Sequence, residues 1–142
     1  MEVVSRRSGD SGQAVYADVF DRQAAHARLI RRSTAAERVA KLDRLRNAIL
    51  ARQDDFRDVL FADFRKPPEE VDLTEIIPLL LEIRHAQRNL TKWMRPLKAA
   101  TSLPLLGTAA EVHYEPKGVV LIISPWNYPL LLSMGPVVSA IA

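Results

Sequence analysis

The chain has 142 residues, 48% apolar and 26% charged, with a formal net charge of +3, a balance that fits one ordinary soluble globular domain. It contains no cysteine, which excludes disulfides, thiolate metal sites and a cysteine nucleophile from this polypeptide. His26, His85 and His113 lie far apart and share no ligand spacing, so no metal site is expected.

The positive charge does not point to nucleic acid. Lys and Arg alternate with Asp and Glu through "RVAKLDRLRNAILARQDDFRD", the pattern of a solvated helix face. Aromatic residues do not punctuate the basic ones, so no base-stacking platform is evident. The start, "MEVVSRRSGDSGQ", lacks the apolar core of a secretory signal, and a cytoplasmic location is the default expectation.

In chain order, residues 1–17 read as a flexible lead. Phe20, Ala24, Ala27 and Ile30 predict a short helix over Asp18 to Arg32. Thr34 followed by Glu37 is a capping box, so a new helix should start there. Val39, Leu42, Leu45 and Ile49 give it a helical stripe, which Phe56, Val59 and Leu60 continue between Gln53 and Phe64. "RKPPEE" then breaks the pattern, because proline disfavours helix at and before its own position. A third helix is predicted from about Glu70 to Met94, with Ile76, Leu80, Ile83, Leu90 and Met94 in phase. Leu79, Ala86 and Trp93 widen that stripe, and Pro78 should kink the helix or mark a late start.

"RPLKAATSLPLLGTAA" reads as a linker, and "AAEVHYEPKG" alternates enough for a strand. In it Val112 and Tyr114 would face one way, Glu111 and His113 the other, leaving His113 solvated. Gly118 permits a change of direction. Val119 to Ile123 is wholly apolar and β-branched apart from Leu121, as suits a strand buried on both faces in a parallel sheet. Pro125 stops it, and Pro129 falls where an apolar helix, "LLLSMGPVVSAIA", can begin. The divisions are thus residues 1–17, a helical part over 18–98, a linker and strand over 99–117, and a strand-turn-helix over 118–142.

No charge occurs from Gly118 to Ala142, and three readings compete for that stretch. It could be a membrane tail behind a non-catalytic helical interaction module. Against that stand Pro125, Pro129, Pro136 and Asn127, each leaving polar groups loose in hydrocarbon. Asn127 could simply tie a buried turn. Or the turn could form one wall of an active site.

"YEPKGVVLIISPWNYPLLLSMGPVVSAIA" resembles the aldehyde dehydrogenase superfamily, above all its class-3-like branch of fatty-aldehyde and coniferyl-aldehyde dehydrogenases. Glu115, Pro116, Gly118 and Val119 match the family's approach to an apolar strand. Pro125, Trp126, Asn127, Tyr128 and Pro129 match its following turn. "EIIPLLLEIRHAQRNLTKWMRP" is similar to the branch's long helix, so the resemblance covers about residues 20–142. It implies an α/β fold, here the N-terminal part of the aldehyde dehydrogenase fold: helices, one bridging strand, the first Rossmann-like strand and the start of the next helix. It also implies oxidation of an aldehyde to a carboxylic acid, using NAD or NADP, through a thiohemiacetal and thioester on a cysteine.

In that scheme the backbone of Ile123, Ser124, Pro125 and Trp126 lines the cofactor groove beyond a strand's carboxyl end. Asn127 is the catalytic residue: its amide holds the oxyanion, and a dry surround strengthens that bond. Tyr128 and Leu132 line the aldehyde tunnel. The family's lysine for the cofactor ribose, its second glycine turn, its general-base glutamate and its cysteine are not in these residues. The chain therefore reads as an N-terminal third or so, inactive alone and poorly soluble because Val119 to Ile123 bares an apolar edge. A homodimer is expected of the complete protein, bridged in part by the strand at 110–115, whose partner strand is expected to lie outside this chain. No metal and no nucleic acid are expected partners.

Overall fold

A computed structural model describes residues 9–105 and 107–142, with side chains from residue 15 onward. The chain divides into two compact units, one made of Met1–Ser33 with Glu115–Val120, the other of Thr34–Tyr114 with Leu121–Ala142.

In the first unit, α1 runs over Gly9–Ile30. It starts well before Asp18, so the later half of the expected lead is helical, while residues 1–8 lie outside the described ones. The reason is visible in the sequence: Val15, Val19 and Tyr16, Phe20 are pairs four apart, so the apolar stripe continues upstream of Asp18. Those side chains stay exposed. Just beyond α1, the Arg31 guanidinium pairs with the exposed Glu115 carboxylate, an interaction that solvent screens to little net stability.

The second unit opens with α2, Ala35–Ala51. Its capping box forms as expected: Thr34 Oγ1 accepts from the Glu37 N–H at 3.3 Å, and Glu37 accepts from the Thr34 N–H at 2.7 Å. The Thr34 N–H, together with the Thr34 hydroxyl at 2.9 Å, holds the Glu37 carboxyl below its ordinary pKa. After α3, Gln53–Phe64, Arg65 adopts φ 58°, the left-handed cap that ends a helix. Pro68 then occupies the first position of α4, Pro68–Val71, where its missing N–H costs nothing.

The third predicted helix is continuous but not uniform. α4 passes into a π-helical segment, Asp72–Ile76, and then into α5, Ile77–Trp93. The Ile77 N–H reaches back to the Asp72 carbonyl, the wide turn of a π segment. Pro78 falls in the first turn of α5, directly after the π segment, so the helix does not start late there but changes type.

The buried stripe of this helix is Ile76, Leu79, Ile83, Ala86 and Leu90, alternating steps of three and four. Leu79 and Ala86, read as its margin, are its centre; Trp93 and Met94 are exposed. Leu42 and Ile49 of α2, Leu60 of α3 and Val71 of α4 share one core with Ile76, Leu79, Ile83 and Ala86 of that stripe. Leu130 and Val138 complete it from α6, Pro129–Ile141, which packs on α5 and α2. Gln87 of α5 donates to Asp43 of α2 at 2.8 Å on the outside of that seam.

Two expectations about strands need correction. The linker supplies a strand: β1, Leu97–Ala99, pairs antiparallel with β2, Ala110–Val112, with Lys98 opposite Glu111. The partner of the 110–115 strand thus lies within this chain, and the strand is shorter than expected. His113 and Glu111 do share a side, 3.3 Å apart and exposed. Conversely, Val119 to Ile123 joins no sheet among the described residues. A strand of the buried parallel kind is held by neighbours on each edge, reached through crossovers of a dozen or more residues. No such neighbour occurs among the described residues, and Leu121 and Ile123 are left bare.

Candidate functional site

The candidate residues fall on the bend that leads into α6. Ile123 and Trp126 are 85% and 84% exposed, Pro125 is exposed and Ser124 half-buried. Asn127 is exposed, and its carboxamide hydrogen-bonds no other described residue. Asn127 is therefore not the group that ties this turn, and its residue is left exposed with two N–H donors on the amide. Tyr128 and Leu132 are about one-third exposed, at the cap of α6 and on its first turn.

What ties the turn is a residue that the sequence reading passed over. Glu75, in the π segment, is 0% exposed. One carboxylate oxygen accepts from the Leu130 N–H at 2.8 Å and, more weakly, from the Leu131 N–H at 3.4 Å. The other pairs with Lys66 Nζ at 2.6 Å, and Lys66 is itself only 8% exposed. The same ammonium stands 4.3 Å from the centre of the Tyr128 ring, a cation–π contact. A helix leaves its first N–H groups without intrahelical partners and presents positive potential there. Tyr128 makes no side-chain cap and Pro129 has no N–H, so Glu75 serves as the cap from a distant part of the chain. A signal existed: Glu75 lies midway between Val71 and Leu79 at steps of four, an acid in phase with an apolar stripe.

The segment that carries Glu75 is itself anchored. Asp72 receives both Nε and Nη2 of Arg57, at 3.0 and 2.5 Å, and Gln53 Nε2 at 3.1 Å. The forked bond from Arg57 holds the Asp72 carboxyl below its ordinary range, and the Arg57 guanidinium is pushed up in turn.

The fit of a dinucleotide to these residues is specific in one respect. The N-terminus of a helix ordinarily offers an anion site, but here Glu75 already occupies the Leu130 and Leu131 N–H groups. The start of α6 is thus no phosphate cradle. The backbone over 123–126, outside any ladder among the described residues, suits a groove wall, with Pro125 offering only its carbonyl.

Comparison with known proteins bears on the chain as a whole. The model of the family described as "Aldehyde dehydrogenase family" matches residues 5–142. A putative aldehyde dehydrogenase AldX of Bacillus subtilis is 37% identical over 124 residues, covering 87% of this chain and 28% of that protein. A probable coniferyl aldehyde dehydrogenase of Caulobacter vibrioides is 37% identical over 140 residues, covering 95% and 29%. Among solved structures, a substrate-bound state of Staphylococcus aureus AldH superposes with a TM-score of 0.81 at 30% identity, over 94% of this chain and 28% of that one. The chain spans less than a third of the length of these relatives. No described helix is long and apolar enough to cross a membrane. With its matched residues and superposed fold, the chain belongs to the aldehyde dehydrogenase family.

Proposed function

We propose that these residues form the N-terminal part of an NAD(P)-dependent dehydrogenase that oxidises an aldehyde to a carboxylic acid, and that Asn127 is its oxyanion donor. The observation that carries this reading is the exposed Asn127 amide, untied to other described residues, on a bend whose backbone is fixed from behind by Glu75. A thiolate from outside these residues adds to the aldehyde carbon, and the carbonyl electron pair moves to oxygen. The Asn127 N–H groups lie ready for that charge and undergo no change of protonation in holding it. The dinucleotide, when bound, supplies the hydride acceptor. Ile123, Ser124, Pro125 and Trp126 form one side of its groove, while Tyr128 and Leu132 contact the aldehyde. The exposed β1–β2 hairpin is the element through which a homodimer would be bridged.

The test is Asn127→Ala in the full-length enzyme. A preorganised oxyanion donor is worth on the order of 10²- to 10³-fold in kcat, with cofactor affinity little changed. A loss under about threefold would refute the oxyanion role.

A further inference from the structure

We infer that Glu75 is a positioning residue for the Asn127 carboxamide, acting through the N–H groups of Leu130 and Leu131, with Lys66 as the counter-charge that lets a carboxylate sit there. The inference deepens the proposed function and rests on Asn127 being the oxyanion donor.

Three constraints converge on the short backbone between Asn127 and α6. Leu130 is fixed by its N–H to the fully buried Glu75 carboxylate, and Leu131 shares that oxygen. Pro129 has its φ locked by its ring. Tyr128 is held by the Lys66 ammonium over its ring. Little torsional freedom then remains upstream of the tether except at Asn127 itself. A donor displaced by about 1 Å loses about 10²-fold in rate, so an anchor three residues away is close enough to matter. Glu75 touches no reacting atom; its effect passes through the backbone alone.

The arrangement also explains why a charge is buried here. A lone buried carboxylate is costly, and an apolar pair of similar volume packs as well or better. Leu and Met at positions 75 and 66 would fill the space but offer the α6 N–H groups no acceptor.

That difference is the test. In the full-length enzyme, Glu75→Leu/Lys66→Met removes both charges and the acceptor, whereas Glu75→Gln/Lys66→Met removes both charges and keeps an acceptor for Leu130. Positioning predicts that the Leu double keeps a melting temperature near the parent's, loses about tenfold or more in kcat with aldehyde and cofactor KM little changed, and exchanges the Leu130 and Leu131 amides faster by mass spectrometry. The Gln double should recover most of that kcat. Equal kcat in the two doubles, or parental kcat in the Leu double, overturns the inference. Should the Leu double not fold, Glu75→Asp decides: it keeps the charge but withdraws the carboxylate from α6, and unchanged kcat overturns the inference. Failure of the oxyanion reading shows separately, as an Asn127→Ala variant with parental kcat. The tether itself is then judged on amide exchange, where an unchanged rate at Leu130 and Leu131 in the Leu double refutes it.

Discussion

The seam between α5 and α6 makes one substitution unusually informative. Gly135 is buried in the interior of α6, and a Cβ placed on it would stand 2.8 Å from a Glu82 carboxylate oxygen, with that carboxyl's carbon at 3.6 Å and its other oxygen at 3.7 Å. No backbone atom of α5 is among these nearest neighbours. Replacing Gly with Ala inside a helix gains about 1 kcal/mol in propensity, part of which is lost here because Pro136 crowds a Cβ on the residue before it. Against this, the end of Glu82 must swing aside by about half an ångström, a rotamer adjustment costing about 0.5–1.5 kcal/mol. Gly135→Ala should therefore lie within about 1 kcal/mol of the parent in urea unfolding. Glu82→Ala/Gly135→Ala should release the clash and show the propensity gain against Glu82→Ala alone, a positive coupling in a double-mutant cycle. Gly135→Val adds bulk that turning Glu82 cannot clear, and should cost about 1–3 kcal/mol. If Gly135→Ala alone cost more than about 2 kcal/mol and Glu82→Ala brought no relief, the close approach would lie between the helices themselves and the reasoning would be wrong.

Core truncation separates the two sides of the helical unit. Ile83→Ala, at a fully buried centre of the stripe, should cost about 2–5 kcal/mol by urea midpoint, while the 57%-exposed Val59→Ala should stay within about 0.5 kcal/mol. Acid should weaken the same unit. The Asp72 and Glu37 carboxyls are held below their ordinary values, so the stability they contribute is complete above about pH 5 and is lost as pH falls through their lower folded values. Asp72→Asn should flatten the thermal-melt dependence on pH between about 2 and 4, and an unchanged slope would remove Arg57–Asp72 as its source.

Much of this fold was legible because it is local. The Thr34 box sits within one turn, and the stripe through Leu42, Ile49, Ile76 and Ile83 repeats at helical spacing, so neighbouring residues carry the whole signal. The elements that escaped depend on distant partners. Leu97–Ala99 is short and directly preceded by Pro96, and only its register with Ala110–Val112 makes it a strand. Val119 to Ile123 has strand composition, yet composition cannot supply the neighbouring strands that a ladder requires. The π segment is hidden for another reason: the buried Val71 and Ile76 stand five apart across it, a wide-turn spacing that steps of three and four do not register. At the site, the Pro-Trp-Asn turn was readable from its own residues. Glu75 was not, because its partners at Leu130 and Leu131 lie far along the chain.

That distance bears on what the cap does. A Ser or Asp placed at position 128 could have satisfied the first N–H groups of α6 locally, at about 1 kcal/mol of helix stability. Such a cap would fix the start of α6 only with respect to α6. A carboxylate carried by the neighbouring helix fixes where α6 begins in relation to the core stripe of α5, and Lys66 ties the end of α3 to the same point. A local cap can slide with its helix; this one cannot move without breaking a buried ion pair, which typically costs about 3–5 kcal/mol when one partner is lost. The residue just upstream of that fixed point is the exposed Asn127 with its untied amide. For a group proposed to meet charge at a set place, registry with the scaffold matters more than the stability of its own helix.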